Sequence, residues 1–137
     1  MRSVLVVEDD PTMSELIADL LVDEGYRVLQ TGSGAVGLRL ARQYRPEAVV
    51  LDIMLGQRSG LDILRELKQA PPTRDIRVVA ISGNSSLLEH ESVRQADARF
   101  LKPFALADLL AAIEERGVRT GAPGAPRAPQ SSLANPY

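Results

Sequence analysis

The sequence predicts an α/β fold built on an open parallel sheet with helices on both faces. Two kinds of segment and their alternation carry that prediction. The first kind is a short apolar run rich in valine and isoleucine: Val4 to Val7, Ala48 to Leu51, and Val78 to Ile81. Each is too short for a helix. Continuous rather than alternating apolarity is what a strand covered on both faces requires. The second kind is helical, with apolar residues at i, i+3, i+4 and i+7. The two kinds alternate as β-α, five times over, which is the pattern of a parallel sheet with helical crossovers.

In chain order, Met13, Leu16, Ile17, Leu20 and Leu21 mark the first helical face. Asp10-Pro11-Thr12 before it reads as a helix start, with Asp10 as N-cap and Pro11 at the first helical position. Gly37, Leu40, Ala41 and Tyr44 mark the second helix, and Gly60, Ile63, Leu64 and Leu67 the third. Leu106, Leu109, Leu110 and Ile113 mark the last. Ser85 to Gln95 reads as a loosely held fourth helix. It has Ser86 and Glu89 at capping-box spacing but little apolar stripe beyond Leu87, Leu88 and Val93. Tyr26 to Gln30 and Arg99 to Leu101 are more mixed runs and are placed at the edges of the sheet. Gly32, Gly34 and Gly37 are assigned to a turn and to close helix packing, because no lysine and hydroxyl follow them at phosphate-loop spacing.

The chain has 137 residues, suited to one domain with a single core. A formal net charge of -2 gives no reason to expect nucleic acid or an anionic membrane as partner. Cysteine is absent, which excludes disulfides, thiolate metal sites and cysteine nucleophiles. No apolar run approaches the roughly 18 residues that span a bilayer, and four apolar residues followed by three acids make no signal peptide. The expected location is cytoplasmic. The expected domain covers residues 1–116. Residues 117–137 hold four prolines, three glycines and no acid, so a disordered tail is expected there and no output domain.

In open α/β sheets, ligands bind beyond the carboxyl ends of the strands. The first strand runs into Glu8-Asp9-Asp10, the third into Asp52, the fourth into Ser82-Gly83 and the fifth into Lys102-Pro103. All four features therefore fall on one edge. Carboxylates gathered within several ångströms raise one another's pKa values, and such a group calls for a cation. Oxygen-only ligands suit Mg²⁺ or Mn²⁺. With no cysteine and one histidine, zinc is disfavoured. His90 reads as an exposed helical residue. Lys102 adds a fixed positive charge, Ser82 a hydroxyl, and Gly83 a backbone N–H that a ligand can approach. A carboxylate, a divalent metal, a lysine and a hydroxyl suffice for phosphoryl transfer, which needs in-line positioning and charge neutralisation. A carboxylate nucleophile would yield an aspartyl phosphate.

These residues resemble the receiver domains of bacterial two-component response regulators, over roughly Ser3 to Arg116. The segments that carry the resemblance are Val4-Leu5-Val6-Val7-Glu8-Asp9-Asp10, Leu51-Asp52-Ile53-Met54-Leu55 with Gly60, Ala80-Ile81-Ser82-Gly83, and Phe100-Leu101-Lys102-Pro103-Phe104. The resemblance implies a flavodoxin-like (βα)5 sandwich with strand order 2-1-3-4-5. It implies Asp52 as the phosphoacceptor, with Mg²⁺ or Mn²⁺ held by Asp9, by Asp52, by the Met54 backbone carbonyl and, mainly through water, by Glu8. Ser82 is the implied switching hydroxyl and Lys102 the phosphoryl group's cationic partner. The Lys102-Pro103 bond is implied to be cis. The implied partners are a sensor histidine kinase or a histidine phosphotransfer protein, and a downstream protein met through the face of the fourth helix, fifth strand and fifth helix.

Three positions depart from the family pattern. Gly56 stands where proline is usual, four residues after Asp52, which leaves the 55–59 loop less constrained. Arg99 stands where the family often has an aromatic residue whose swing reports phosphorylation. Gln95-Ala96 replaces a common Gly-Ala. Three competing readings are weaker. A phosphorylation-independent interaction module leaves the complete acid, hydroxyl and lysine set without a purpose. A phosphatase with an aspartate nucleophile wants a second aspartate where Met54 stands. A flavin site would set the acid cluster against the cofactor's phosphate.

Overall fold

A computed structural model describes residues 2–56 and 59–114. The expected tail at 117–137 lies outside the described residues. Five strands, β1 (Ser3–Val7), β2 (Arg27–Thr31), β3 (Ala48–Asp52), β4 (Arg77–Ser82) and β5 (Ala98–Leu101), form one parallel sheet in the order β2-β1-β3-β4-β5. The helices are α1 (Pro11–Asp23), α2 (Gly34–Tyr44), α3 (Gly60–Gln69), α4 (Ser85–Leu88) and α5 (Leu106–Glu114), with a 3₁₀ turn at Glu91–Gln95.

The continuous apolar runs are the three interior strands, and every residue of β3 and β4 is buried. Their side chains divide alternately between two cores. Leu5, Val7, Val49, Leu51, Val78 and Ala80 face Leu38 and Ala41 of α2 and Ile63, Leu64 and Leu67 of α3. Val4, Val6, Val50, Val79 and Ile81 face Ile17 and Leu21 of α1 and Leu109 and Ile113 of α5. The mixed runs β2 and β5 are the two edges, as their partial exposure requires. Gly34 and Gly37 serve close packing: a Cβ would lie 2.8 Å from Ile63 and 2.9 Å from Val7.

The fourth helix differs from its expectation. Ser86 does not cap it. Asn84 does, accepting from the Leu87 N–H through its side chain, and the helix closes after one turn. The residue after that turn matters too. His90 is not helical: its backbone is extended, and its Nδ1 accepts from Ser92 N–H to cap the 3₁₀ turn. The cause is spacing. Leu88 and Val93 are both buried, yet residues five apart do not share one α-helical face. Breaking the helix at His90 and resuming as 3₁₀ brings both into the core.

Candidate functional site

Parallel register brings the four strand ends together. Val7 pairs with Leu51, Asp52 with Ile81, and Ser82 with Leu101. Asp52 is thus the last residue of β3, and only 4% of it is exposed. Glu8, one residue beyond β1, is 3% exposed. Lys102, one residue beyond β5, reaches across. Its Nζ donates to Glu8 Oε1 at 2.8 Å and to Asp52 Oδ2 at 3.0 Å. The Lys102-Pro103 bond is cis.

Each oxygen of Asp52 has a named partner. Lys102 holds Oδ2, and the Met54 N–H donates to Oδ1 at 2.8 Å. The loop that supplies this N–H is closed by a bridge between Met54 and Ser59 and by the Gly60 N–H donating to the Ile53 carbonyl. Gly60 cannot carry a side chain there, because a Cβ would collide with the backbone of Asp52 and Ile53. Ser59 caps α3 through the Leu61 N–H.

Glu8 Oε2 accepts from the Asp10 N–H at 3.0 Å. Asp10 itself caps α1, accepting from Thr12 N–H, with Pro11 beginning the helix. Asp9, between them, is exposed, and its Oδ2 accepts from the Gly56 N–H at 3.0 Å. One carboxylate oxygen each from Glu8, Asp9 and Asp52 lies within 4.8 Å of the others. An oxygen-only set of this compactness fits a hard divalent cation such as Mg²⁺.

The electrostatics point the same way. Burial pushes the Glu8 carboxyl up from 4.5 to about 7, and the neighbouring Asp52 adds to the rise against the opposing bonds from Lys102 and the Asp10 N–H. Burial alone would lower the Lys102 ammonium, but its bonds to Glu8 and Asp52 outweigh that and raise it. One lysine faces three acids, so the edge carries excess negative charge.

Ser82 is fully buried at the end of β4, and its Oγ accepts from the Asn84 N–H at 3.0 Å. A Cβ on Gly83 would meet nothing within 4 Å, so the backbone beside Ser82 is open to a ligand. Arg99 does not reach the acid cluster. From β5 its Nη1 donates to the Leu88 carbonyl at the end of α4, at 3.2 Å. Phe100 turns into the core and packs on Phe104 with ring centroids 5.9 Å apart.

Glu8, Asp9 and Asp52 therefore cluster, with Lys102 bonded to Glu8 and Asp52, Ser82 one strand away and Arg99 apart. The amides of Met54 and Gly56 were not read from the sequence as side-chain partners, since a backbone N–H has no signature of its own. The Gly56 donor had one available sign: glycine keeps an N–H where proline would have none.

A family model described as response regulator receiver domain matches residues 4–114. The polar-differentiation response regulator DivK of Brucella anthropi is 32% identical over 115 residues, which cover 82% of this chain and 94% of that protein. The response regulator TrrA of Thermotoga maritima, solved in complex with Mg²⁺-BeF, is 26% identical with a TM-score of 0.77, over 84% of this chain and 98% of that one. A response regulator of Burkholderia pseudomallei, solved with a phosphorylated aspartic acid, calcium ion and citrate, is 25% identical with a TM-score of 0.71, over 88% and 74% of the two chains.

Proposed function

We propose, because the chain belongs to the response regulator receiver domain family of two-component signalling, that it takes a phosphoryl group onto Asp52 and passes the change to other proteins. One observation carries this reading. Asp52 is buried at a strand end with both oxygens held, by Lys102 and the Met54 N–H, beside Glu8 and Asp9. Relatives solved with Mg²⁺-BeF and with a phosphorylated aspartic acid support it.

In this mechanism a sensor histidine kinase or a histidine phosphotransfer protein presents a phosphohistidine. An Asp52 carboxylate oxygen forms the new O–P bond, and the N–P bond to the imidazole breaks. The electron pair stays on the leaving nitrogen. A divalent cation held by Glu8, Asp9, Asp52 and the Met54 carbonyl, Mg²⁺ or Mn²⁺, would neutralise charge on the phosphoryl oxygens. The Met54 N–H and Lys102 fix the nucleophile's rotamer before attack. Lys102 then exchanges a carboxylate oxygen for a phosphoryl oxygen. The Ser82 hydroxyl, now held by Asn84 N–H, turns toward the same group. The half-exposed Met54 and Asn84 would tune the access of hydrolytic water.

The signal would leave through α4, β5 and α5. The Ser82 Oγ meets Asn84, Asn84 caps α4, and the α4 end meets Arg99. These links join the site to the β5 edge through one short helix, a small element to reorder. No helix among the described residues is long and apolar enough to cross a membrane. A phosphorylation-independent module is not favoured, because the acid, hydroxyl and lysine set is complete.

The test is intact mass after incubation with Mg²⁺ and a small phosphodonor. The wild type should gain one phosphoryl group, and the same protein in chelator or as Asp52→Asn should gain none. A wild type that binds Mg²⁺ yet gains nothing would overturn the proposal.

A further inference from the structure

Asp9 offers its carboxylate to the acid cluster from an exposed position, where little packing fixes its rotamer. The named bond that orients it comes from 47 residues away, from the Gly56 N–H to Oδ2 at 3.0 Å. We propose that Gly56 is a positioning residue for the divalent cation: its N–H holds Asp9 Oδ2 so that the other oxygen, Oδ1, is turned toward the metal position. This rests on the reading of Glu8, Asp9 and Asp52 as cation ligands.

The chemistry of the donor set supports it. Mg²⁺ takes one oxygen from a carboxylate of this kind, which leaves the second oxygen free for a hydrogen bond. Carboxylate ligands are held in this way by groups outside the coordination sphere, and losing such a group typically costs about 10–100-fold in metal affinity. The residue type is decisive here. Proline, which lacks the N–H, could not make this bond. Alanine could: a Cβ at Gly56 would approach Asp9 Oδ2 to 3.4 Å, an ordinary contact. The coupling runs both ways, since whatever fixes Asp9 also fixes the loop bonded to it.

Two variants separate the N–H from the glycine. Gly56→Pro removes the donor, and Gly56→Ala keeps it. Calorimetric titration with Mg²⁺ should show Gly56→Pro weakened by about tenfold or more and Gly56→Ala within about twofold of wild type. Equal or tighter binding by Gly56→Pro would overturn the inference, the second outcome meaning that the bond competes with the metal. Hydrogen exchange at the Gly56 amide of the wild type gives a readout that does not depend on a variant folding. It should slow at saturating Mg²⁺, and unchanged or faster exchange would overturn the proposal. A wild type that binds no Mg²⁺ removes the cation reading itself. Binding by wild type with no loss in a folded Gly56→Pro removes only the role of Gly56.

Discussion

The sheet has a lysine at each end of its strands, one bonded to the Asp97 carboxylate and the other among several acids. At the amino end, Lys68 from the last turn of α3 donates to the Arg74 carbonyl at 3.3 Å, the Ile76 carbonyl at 2.8 Å and Asp97 Oδ2 at 2.9 Å. Asp97 Oδ2 also accepts from the Val78 N–H. Around this ammonium the acceptors are one carboxylate and two carbonyls. At the carboxyl end, Lys102 meets both Glu8 and Asp52, with Asp9 alongside. There one ammonium faces three acids, and burial, with Asp52 adding to it, pushes Glu8 up to about 7. The balanced pair fastens α3 and the start of β4 to the entry of β5. The unbalanced one is a site with room for a further cation. Charge balance, more than the mere presence of a buried ion pair, separates fastening from function.

The largest effect should come from breaking the balanced pair. Lys68→Met removes the ammonium that Asp97 and the Arg74 and Ile76 carbonyls share, and should cost about 2–4 kcal/mol of stability in denaturant titration. Mg²⁺ should not restore it. Lys102→Met should cost less, about 1–2 kcal/mol, since burial already favours the protonated form of its partner Glu8. Here saturating Mg²⁺ should restore most of the loss, because a cation replaces a cation. If Mg²⁺ rescued both variants equally, or neither, the two ends would not differ as described.

A smaller effect concerns pH. The Glu8 carboxyl lies at about 7 in the folded chain against 4.5 ordinarily, so the folded state binds its proton more tightly. Its stabilising contribution is fully present below about pH 4.5 and is lost as pH rises through about 7. In chelator the melting temperature of the wild type should therefore fall more across that window than that of Glu8→Gln. Identical profiles would remove the case for a strained carboxylate.

The fold and the acid site were legible because they follow from rules local to each segment. Unbroken Val-Val-Leu runs say that a strand is covered on both faces, and mixed runs say that it is an edge. Strand ends then place Glu8, Asp9, Asp52, Ser82 and Lys102 on one side, since a parallel sheet has only one carboxyl edge. What stayed hidden depends on partners far apart in the chain. Nothing local pairs Lys68 with Asp97, 29 residues on. The Ser86 and Glu89 spacing is a local signal that loses to Asn84, two residues earlier, whose side chain caps the turn. The roles of the Met54 and Gly56 amides depend on where a closed loop aims its backbone. Arg99 is legible as a departure, and its bond to the Leu88 carbonyl appears only when α4 ends one turn after it begins.

The central claim is that Asp52 is the phosphoacceptor, and trapping the acyl phosphate tests it most directly. The protein is incubated with Mg²⁺ and a small phosphodonor, reduced with borohydride, which converts an aspartyl phosphate to homoserine, and mapped by peptide mass. The account predicts homoserine at position 52 and at no other aspartate, with the Asp97→Asn protein behaving as wild type. Homoserine at Asp9 instead, or none anywhere in protein shown to bind Mg²⁺, would contradict it.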